Sequence, residues 1–229
     1  MFYREEVISI YDDAYAASYN TYYLAPWIKK HELNVQNIKR IIENLPSAEK
    51  RWLDLCCGQG WHFSQFPSNL EKIGVDLSRP QLELARTKNP DSIFIQADVL
   101  DVSFRRGSFD LVTNFWAAYC YLNSVSKIKT LVGKAIEWTK EGGAIYFEVL
   151  LPEDLKSFNR SQYAREMGFH VIPQEADFSE WSYKDPGGIH NMTSPPLELF
   201  RETLSKRFQE VEAKHDTGFM THVIAVCKC

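Results

Sequence analysis

Three acidic residues, each closing a short apolar run, carry the chemistry of this chain. Asp54 sits in Leu53-Asp54-Leu55-Cys56-Cys57-Gly58-Gln59-Gly60, Asp76 ends Ile73-Gly74-Val75-Asp76, and Asp98 follows Gln96-Ala97 and precedes Val99. Glycines at 58 and 60 allow the backbone to approach a ligand that any Cβ would obstruct. Asp76, 22 residues after Asp54, suits the acceptance of both hydroxyls of a ribose in charge-assisted hydrogen bonds. Asp98 suits acceptance from an adenine amino group. A dinucleotide fingerprint would need a third glycine, Gly-x-Gly-x-x-Gly, and counting from Gly58 and Gly60 that position is Phe63. A nicotinamide dinucleotide is therefore disfavoured.

These acids need strands to hold them, and the pattern supplies strands. Val35, Ile38, Ile41, Ile42 and Leu45 recur at helical steps over 34–45. Alternation of strand and helix begins after that. Strands are expected at 51–56, 72–76, 92–96, 109–114 and 144–150, with a helix near 61–66. A second helix opens at Ser78 with Gln81 three residues on, a capping-box pattern. Ile128, Leu131, Val132 and Ala135 share one helix face, and the glycine pair 142–143 is expected to stop that helix. Leu197, Phe200, Leu204 and Phe208 mark a later helix, and closing strands near 209–215 and 219–227 are joined at Asp216-Thr217-Gly218.

The fold class is thus α/β: a Rossmann-like, doubly wound, mostly parallel seven-stranded sheet with one closing antiparallel strand. One domain is expected over 1–229. It divides into an N-terminal helical lid (1–46), a cofactor-binding core (51–150), a substrate-cap insertion (152–196) and a closing helix and hairpin (197–229). The insertion holds five of the ten prolines and shows no clear period. Such long connections are often lids or binding loops, and the plainer alternative is a structural cap.

Composition narrows the function classes. A net charge of −4 provides no basic field for a phosphate backbone, so nucleic acid is a poor partner. No apolar run approaches the roughly 20 residues needed to cross a bilayer. The acidic start (Glu5, Glu6, Asp12, Asp13) does not suit a signal peptide. The five cysteines lack zinc or disulfide spacing and read as reduced thiols of a cytoplasmic protein, and no metal-ligand cluster is seen.

The ordered set of loops resembles the class I S-adenosylmethionine-dependent methyltransferases of small-molecule type, over residues from about 11 to 150. The family loop reads acid-x-Gly-x-Gly-x-Gly, and Asp54-x-Cys56-x-Gly58-x-Gly60 departs from it at the first glycine. The resemblance implies that Asp54, Cys56, Gly58 and Gly60 shape the methionine end. It implies further that Asp76 and Leu77 hold the ribose, Asp98 and Val99 the adenine, and that Asn114 faces the reacting centre. S-adenosylhomocysteine would be the product.

Ala16 to Asn20 looks like the family's Ala-x-x-Tyr-Asp pattern on an N-terminal lid, with Tyr19 turned to the cofactor. Tyr15, Tyr19 and either Tyr22 or Tyr23 would share one helix face. For Tyr15, Tyr22 and Tyr23, packing against the domain is an equal account. Tyr11, Tyr15, Trp116 and Tyr119 are the expected substrate contacts, their electron-rich faces suiting a cation. Phe115 and Tyr121 are assigned to core packing. For proton removal the candidates are Glu148 at the end of the fifth strand and His190 or His170 in the insertion. The expected function is methyl transfer to nitrogen or oxygen of a small molecule. The rivals are methylation of protein or RNA, and a nucleoside-binding pseudo-enzyme that serves as an interaction module. Oligomeric state is not legible.

Overall fold

A computed structural model describes residues 2–167, 169–216 and 218–227. The chain opens with helices α1 (Phe2–Ile10) and α2 (Asp13–Tyr19), a π-helical turn (Asn20–Leu24) and α3 (Ile28–Asn44). The core follows: β1 (Arg51–Leu55), α4 (Trp61–Ser64), β2 (Glu71–Asp76), α5 (Arg79–Lys88), β3 (Ile93–Gln96) and β4 (Phe109–Asn114). A 3₁₀ turn (Ala118–Leu122), α6 (Val125–Trp138) and β5 (Thr139–Val149) complete it. The insertion contributes α7 (Pro152–Phe158), α8 (Gln162–Met167), β6 (Val171–Pro173), β7 (Glu180–Asp185) and β8 (Gly188–Thr193). The chain closes with α9 (Leu197–Leu204), β9 (Glu210–His215) and β10 (Thr221–Val226).

Seven strands form one sheet in the order β3-β2-β1-β4-β5-β10-β9. All neighbours from β3 to β5 pair in parallel, and β10 runs antiparallel to both β5 and β9. This is the expected sheet with its one antiparallel strand. Successive strand residues enter opposite cores, as the period of two requires. Leu53, Leu55, Ile145 and Phe147 pack under α6 and α9 with Ile128, Leu131, Phe200 and Leu204. Trp52, Ala144 and Tyr146 pack on the other face with Ile38, Ile41, Phe63 and Leu82 from α3, α4 and α5. Burial of both faces explains why these strands read as near-continuous apolar runs.

Two expectations are corrected. The helix over 125–138 ends at Trp138, not at the glycine pair, because Thr139 already has extended backbone and its Oγ1 bonds Ala135 O at 2.7 Å. The glycines instead form a bulge inside β5. Phe109 pairs with Thr139 but Leu111 with Ala144, and Gly142 takes φ +73° to absorb the extra residues. The insertion is not irregular either. β6, β7 and β8 make a separate antiparallel sheet that buries Trp181, Tyr183, His190 and Met192 while Ile189 and Asn191 face out. Asp185-Pro186-Gly187-Gly188 is its hairpin turn, with Asp185 Oδ1 accepting from Gly187 N at 2.8 Å.

The N-terminal segment lies against this insertion. Tyr15 on α2 reaches Asp185, and Glu6 on α1 accepts from Asn191 Nδ2 at 2.8 Å. Cys56, Cys57, Cys120 and Cys227 are free thiols, and no described helix is long and apolar enough to cross a membrane. Thr217, in the expected closing turn, and Cys229 lie outside the described residues.

The bulge generates a stability prediction. A Cβ at Gly143 would stand 2.8 Å from Thr139 Cγ2 and 2.9 Å from Asp110 O, whereas one at exposed Gly133 on α6 meets nothing within 4 Å. Gly143→Ala should cost about 1–3 kcal/mol from overpacking, while Gly133→Ala should add about 0.5–1 kcal/mol. Thermal melts of the two variants should move in opposite directions. Equal shifts would mean the bulge is misplaced.

Candidate active site

Strand order reverses between β1 and β4, so the crevice of the sheet opens beyond the carboxyl ends of those strands. A cavity of about 1050 Å³, part of it open to solvent, lies there. Asp54, Cys56, Gly58, Asp76, Leu77, Asp98 and Val99 all line it, together with Tyr11, Tyr19 and Trp116. Ten of the expected residues thus meet at one site although they come from five separate segments.

Asp76 organises the turns. One oxygen accepts from Gly58 N at 2.8 Å and the other from Ser78 N at 2.9 Å, which ties the loop after β1 to the N-terminus of α5. Burial raises its pKa, opposed by the hydrogen bonds of Ser78, Gly58 and Leu77. Asp54 is 2% exposed and is pushed up to about 8 by burial, against a hydrogen bond from Thr113 Oγ1 at 2.6 Å. Asp98 accepts from Leu100 N at 2.7 Å, from Tyr3 and, as an ion pair, from Arg4 at 2.5 Å. Helix α1 therefore latches onto the Asp98 side of the cavity. Gly58 has φ +52° and open space beside it, so a ligand can approach its backbone. Cys56, where the family pattern has glycine, also takes a left-handed φ of +60°. That is the physical reason glycine suits the position.

Several expected residues lie elsewhere. Gly60 (φ +63°) shapes the turn at the start of α4, and a Cβ there would meet Phe94 at 3.2 Å. Asn114 is fully buried. Its Nδ2 donates to Leu55 O at 2.8 Å and its Oδ1 accepts from Tyr119 N, so it ties β4 to β1. Tyr119 points into the core against Phe200 and accepts from Leu150 N at 3.1 Å, because the 3₁₀ turn rotates it away from the cavity. Glu148 is fully buried behind Trp116 rather than in the cleft. Its Oε2 accepts from Trp116 N at 2.8 Å and Asn34 Nδ2 at 3.2 Å, and burial raises its pKa. Trp116 and Ala117 have consecutive left-handed φ values of +54° and +46°, which this buried carboxylate helps to hold. His170 is exposed. Tyr15 and His190 stand one layer behind the wall, and Tyr23, not Tyr22, completes the helix face by stacking on Tyr19 at 5.0 Å.

The sequence reasoning passed over other wall residues. Phe115 and Tyr121, assigned to packing, both line the cavity. Tyr3, Gln81, His31, Trp61 and His62 line it as well. Gln81 keeps its backbone role, donating N–H to Ser78 Oγ at 3.3 Å, but its amide is buried without a hydrogen-bond partner. The capping box is thus half formed, and the freed amide faces the cavity. His31 accepts from Trp116 Nε1 at 2.9 Å, and His62 stacks on Phe115 at 4.1 Å. A histidine inside an amphipathic helix carries no local signal for such a role.

A second cavity of about 730 Å³, also partly open, adjoins the first. Tyr11, Tyr19, Trp116, Ala118 and Tyr121 belong to both linings and form a shared wall.

Residues 53–143 match the model of a family described as "Methyltransferase domain". That stretch is similar to a methyltransferase domain. The chain is 26% identical, over 61% of its length, to a dTDP-3-amino-3,4,6-trideoxy-α-D-glucopyranose N,N-dimethyltransferase from Streptomyces venezuelae, and the match spans 58% of that relative. Among solved structures, Streptomyces venezuelae DesVI superposes with a TM-score of 0.69 at 20% identity, covering 93% of this chain and 98% of that one. The S-adenosylmethionine-bound amino pentose methyltransferase CalS10 from Micromonospora echinaspora superposes with a TM-score of 0.64 at 19% identity, covering 93% and 96%. The Rossmann-like α/β fold expected from the sequence is upheld, and a structure with S-adenosylmethionine bound shares it.

Two buried histidines should make the stability of the fold depend on pH. Burial pushes His31 down to about 4, opposed by a hydrogen bond with the Tyr23 backbone, and holds His62 well below the usual range. A folded-state pKa below the unfolded value near 6.5 means the unfolded chain binds the extra proton first. Stability should therefore fall as pH drops from about 6.5 towards 4. His31→Gln should flatten the fall in melting temperature over that window. An unchanged slope would exclude His31 as a contributor.

Proposed function

We propose that the chain transfers a methyl group from S-adenosylmethionine to a nitrogen or oxygen of a small-molecule acceptor. The observation that carries this reading is the shared wall: an acid-lined cavity at the sheet's switch point opens onto a second, apolar cavity through Tyr11, Tyr19, Trp116, Ala118 and Tyr121. The residues present fit the cofactor. Three carboxylates suit a ligand with hydroxyl and amino donors and one positive charge; among the described residues no lysine or arginine lines the cavity, and only Asp98 is paired with one, Arg4, outside that lining. The unpartnered Gln81 amide is a further polar group for that ligand.

Asp76 and Leu77 would take the ribose, Asp98 and Val99 the adenine, and Asp54, Cys56 and Gly58 the methionine end. Bound S-adenosylmethionine supplies an electrophilic methyl group on a sulfonium and leaves as S-adenosylhomocysteine. The wall residues hold the two reactants in line and keep water out, and such alignment lowers a barrier by roughly 7–11 kcal/mol. The relative's name, an amino-sugar N,N-dimethyltransferase, supports a small-molecule acceptor. The reading includes the division into lid, core, insertion and closing hairpin within one domain, and a cytoplasmic setting that keeps the thiols reduced.

S-adenosylhomocysteine at 100 times its dissociation constant should stabilise the fold by about 2.7 kcal/mol, read as a raised melting temperature. Asp76→Ala should weaken that binding roughly tenfold or more. Incubation with tritiated S-adenosylmethionine and pooled amines, alcohols and phenols should label a small molecule. No thermal shift at saturation would remove the cofactor assignment, and label found only in protein or RNA would redirect the acceptor.

A further inference from the structure

The second cavity is closed on one side by a hydrogen-bond network whose direction can be worked out atom by atom. Asp185, on the turn after β7, sits at its root. One oxygen accepts from Tyr15 OH at 2.5 Å and from Tyr23 OH. The other accepts from Gly187 N at 2.8 Å and His190 Nε2 at 2.7 Å. A carboxylate offers about four lone-pair directions, so this one is saturated. Burial opposes its charge, but the hydrogen bonds from His190, Tyr15 and Tyr23 prevail and hold Asp185 below the usual carboxylate range. Taking the His190 ring in its neutral form, with Nε2 donating to Asp185, Nδ1 is an acceptor only. Tyr121 OH must then donate to it, at 2.6 Å. A hydroxyl has one proton, so Tyr121 oxygen can only accept from Tyr11 OH at 3.0 Å and Tyr183 OH at 2.7 Å.

In that form the hydroxyl protons of Tyr11, Tyr15, Tyr23, Tyr121 and Tyr183 all point inwards towards Asp185. Tyr11 and Tyr183, which both line the second cavity, turn only lone pairs to it. A ligand group meeting Tyr11 has to be a donor. The rest of the lining is apolar or aromatic, including Trp27, Phe158, Phe169 and Phe219, and it contains no Asp, Glu, Lys, Arg or His. Lys30, whose Nζ lies 4.6 Å from the Phe219 ring centre, is paired with Asp216 at 2.5 Å.

We infer that the second cavity takes an uncharged, largely apolar, ring-bearing acceptor that offers one hydroxyl or neutral amine proton to Tyr11, and that it rejects anionic acceptors, nucleoside diphosphate sugars included. This rests on the methyl-transfer reading and separates the chain from its amino-sugar relative, since a diphosphate is anionic and finds no cation in this lining.

The test is calorimetric titration at pH 8 of protein saturated with S-adenosylhomocysteine. The probes are 2-naphthol, naphthalene, 2-naphthoate and dTDP-glucose. 2-Naphthol should bind about 2- to 10-fold more tightly than naphthalene, the contribution of one hydrogen bond. 2-Naphthoate should bind at least tenfold more weakly than 2-naphthol, and dTDP-glucose should show no heat. Tyr11→Phe, which removes only the hydroxyl, should abolish the difference between 2-naphthol and naphthalene. Binding of dTDP-glucose or 2-naphthoate as tightly as 2-naphthol would overturn the inference, as would no binding of 2-naphthol. Failure of the cofactor reading shows separately, as absent binding of S-adenosylhomocysteine before any probe is added, and the naphthol comparison is then made on the protein alone.

Discussion

A parallel sheet whose order reverses cannot cover its own carboxyl ends. Between β1 and β4 the chain leaves in opposite directions, and the crossing helices pack on the faces of the sheet rather than over its edge. The crevice that results is a property of topology, and the rest of this molecule is arranged around it. The three aspartates stand at or just beyond the ends of β1, β2 and β3 because only there does the backbone turn outward. Helices α1 and α2 and the β6-β7-β8 sheet close the opening that the core leaves. Their contacts with one another, through Tyr15 and Asp185 and through Glu6 and Asn191, make the closure a joint one.

Burying acids without cations has consequences. Asp54 and Asp76 are both shifted upwards by desolvation, and Asp54 titrates close to neutrality. A cationic ligand would favour the ionised forms. The neutral histidines on the opposite wall follow the same rule with the opposite sign. Burial removes their protons, and Trp116 N–H finds an imidazole acceptor that a charged ring would not provide. Trp116 is further fixed by the Glu148 carboxylate, which acts on the wall through a backbone amide instead of reaching the acceptor.

The acceptor side differs in kind. Where the first cavity is acidic, the second is hydroxylated and apolar, and the Asp185 carboxylate stands one layer behind the surface. Asp185 and His190 do not line the cavity but hold the hydroxyls of Tyr15, Tyr23 and Tyr121 from behind it. A buried carboxylate with four donors is energetically acceptable, whereas an unpartnered one would not be. Aromatic rings also bring large contact area with few rotatable bonds, which suits a rigid wall.

The sequence by itself determined the parallel sheet, the position of its strands, the capped start of α5 and the three acids at the strand ends. Each of these depends on neighbours within a few residues: a period of two, a serine before a helix, a glycine where φ is positive. Only the tertiary structure decided which side chains face the cavities. Tyr119 and Tyr121 stand two residues apart, yet one enters the core and the other the wall, since a 3₁₀ turn rotates successive residues by about 120°. Glu148 and His31 were likewise indistinguishable from other polar residues on their elements until Trp116 was placed between them. The bulge at 142–143 depended on register with β4, which no local pattern reports. The Asp185–His190–Tyr121–Tyr11 network joins residues up to 179 positions apart, counted as 190 minus 11. Hydrogen bonds of that kind are set by where the chain returns in space, and that is a property of the packed fold.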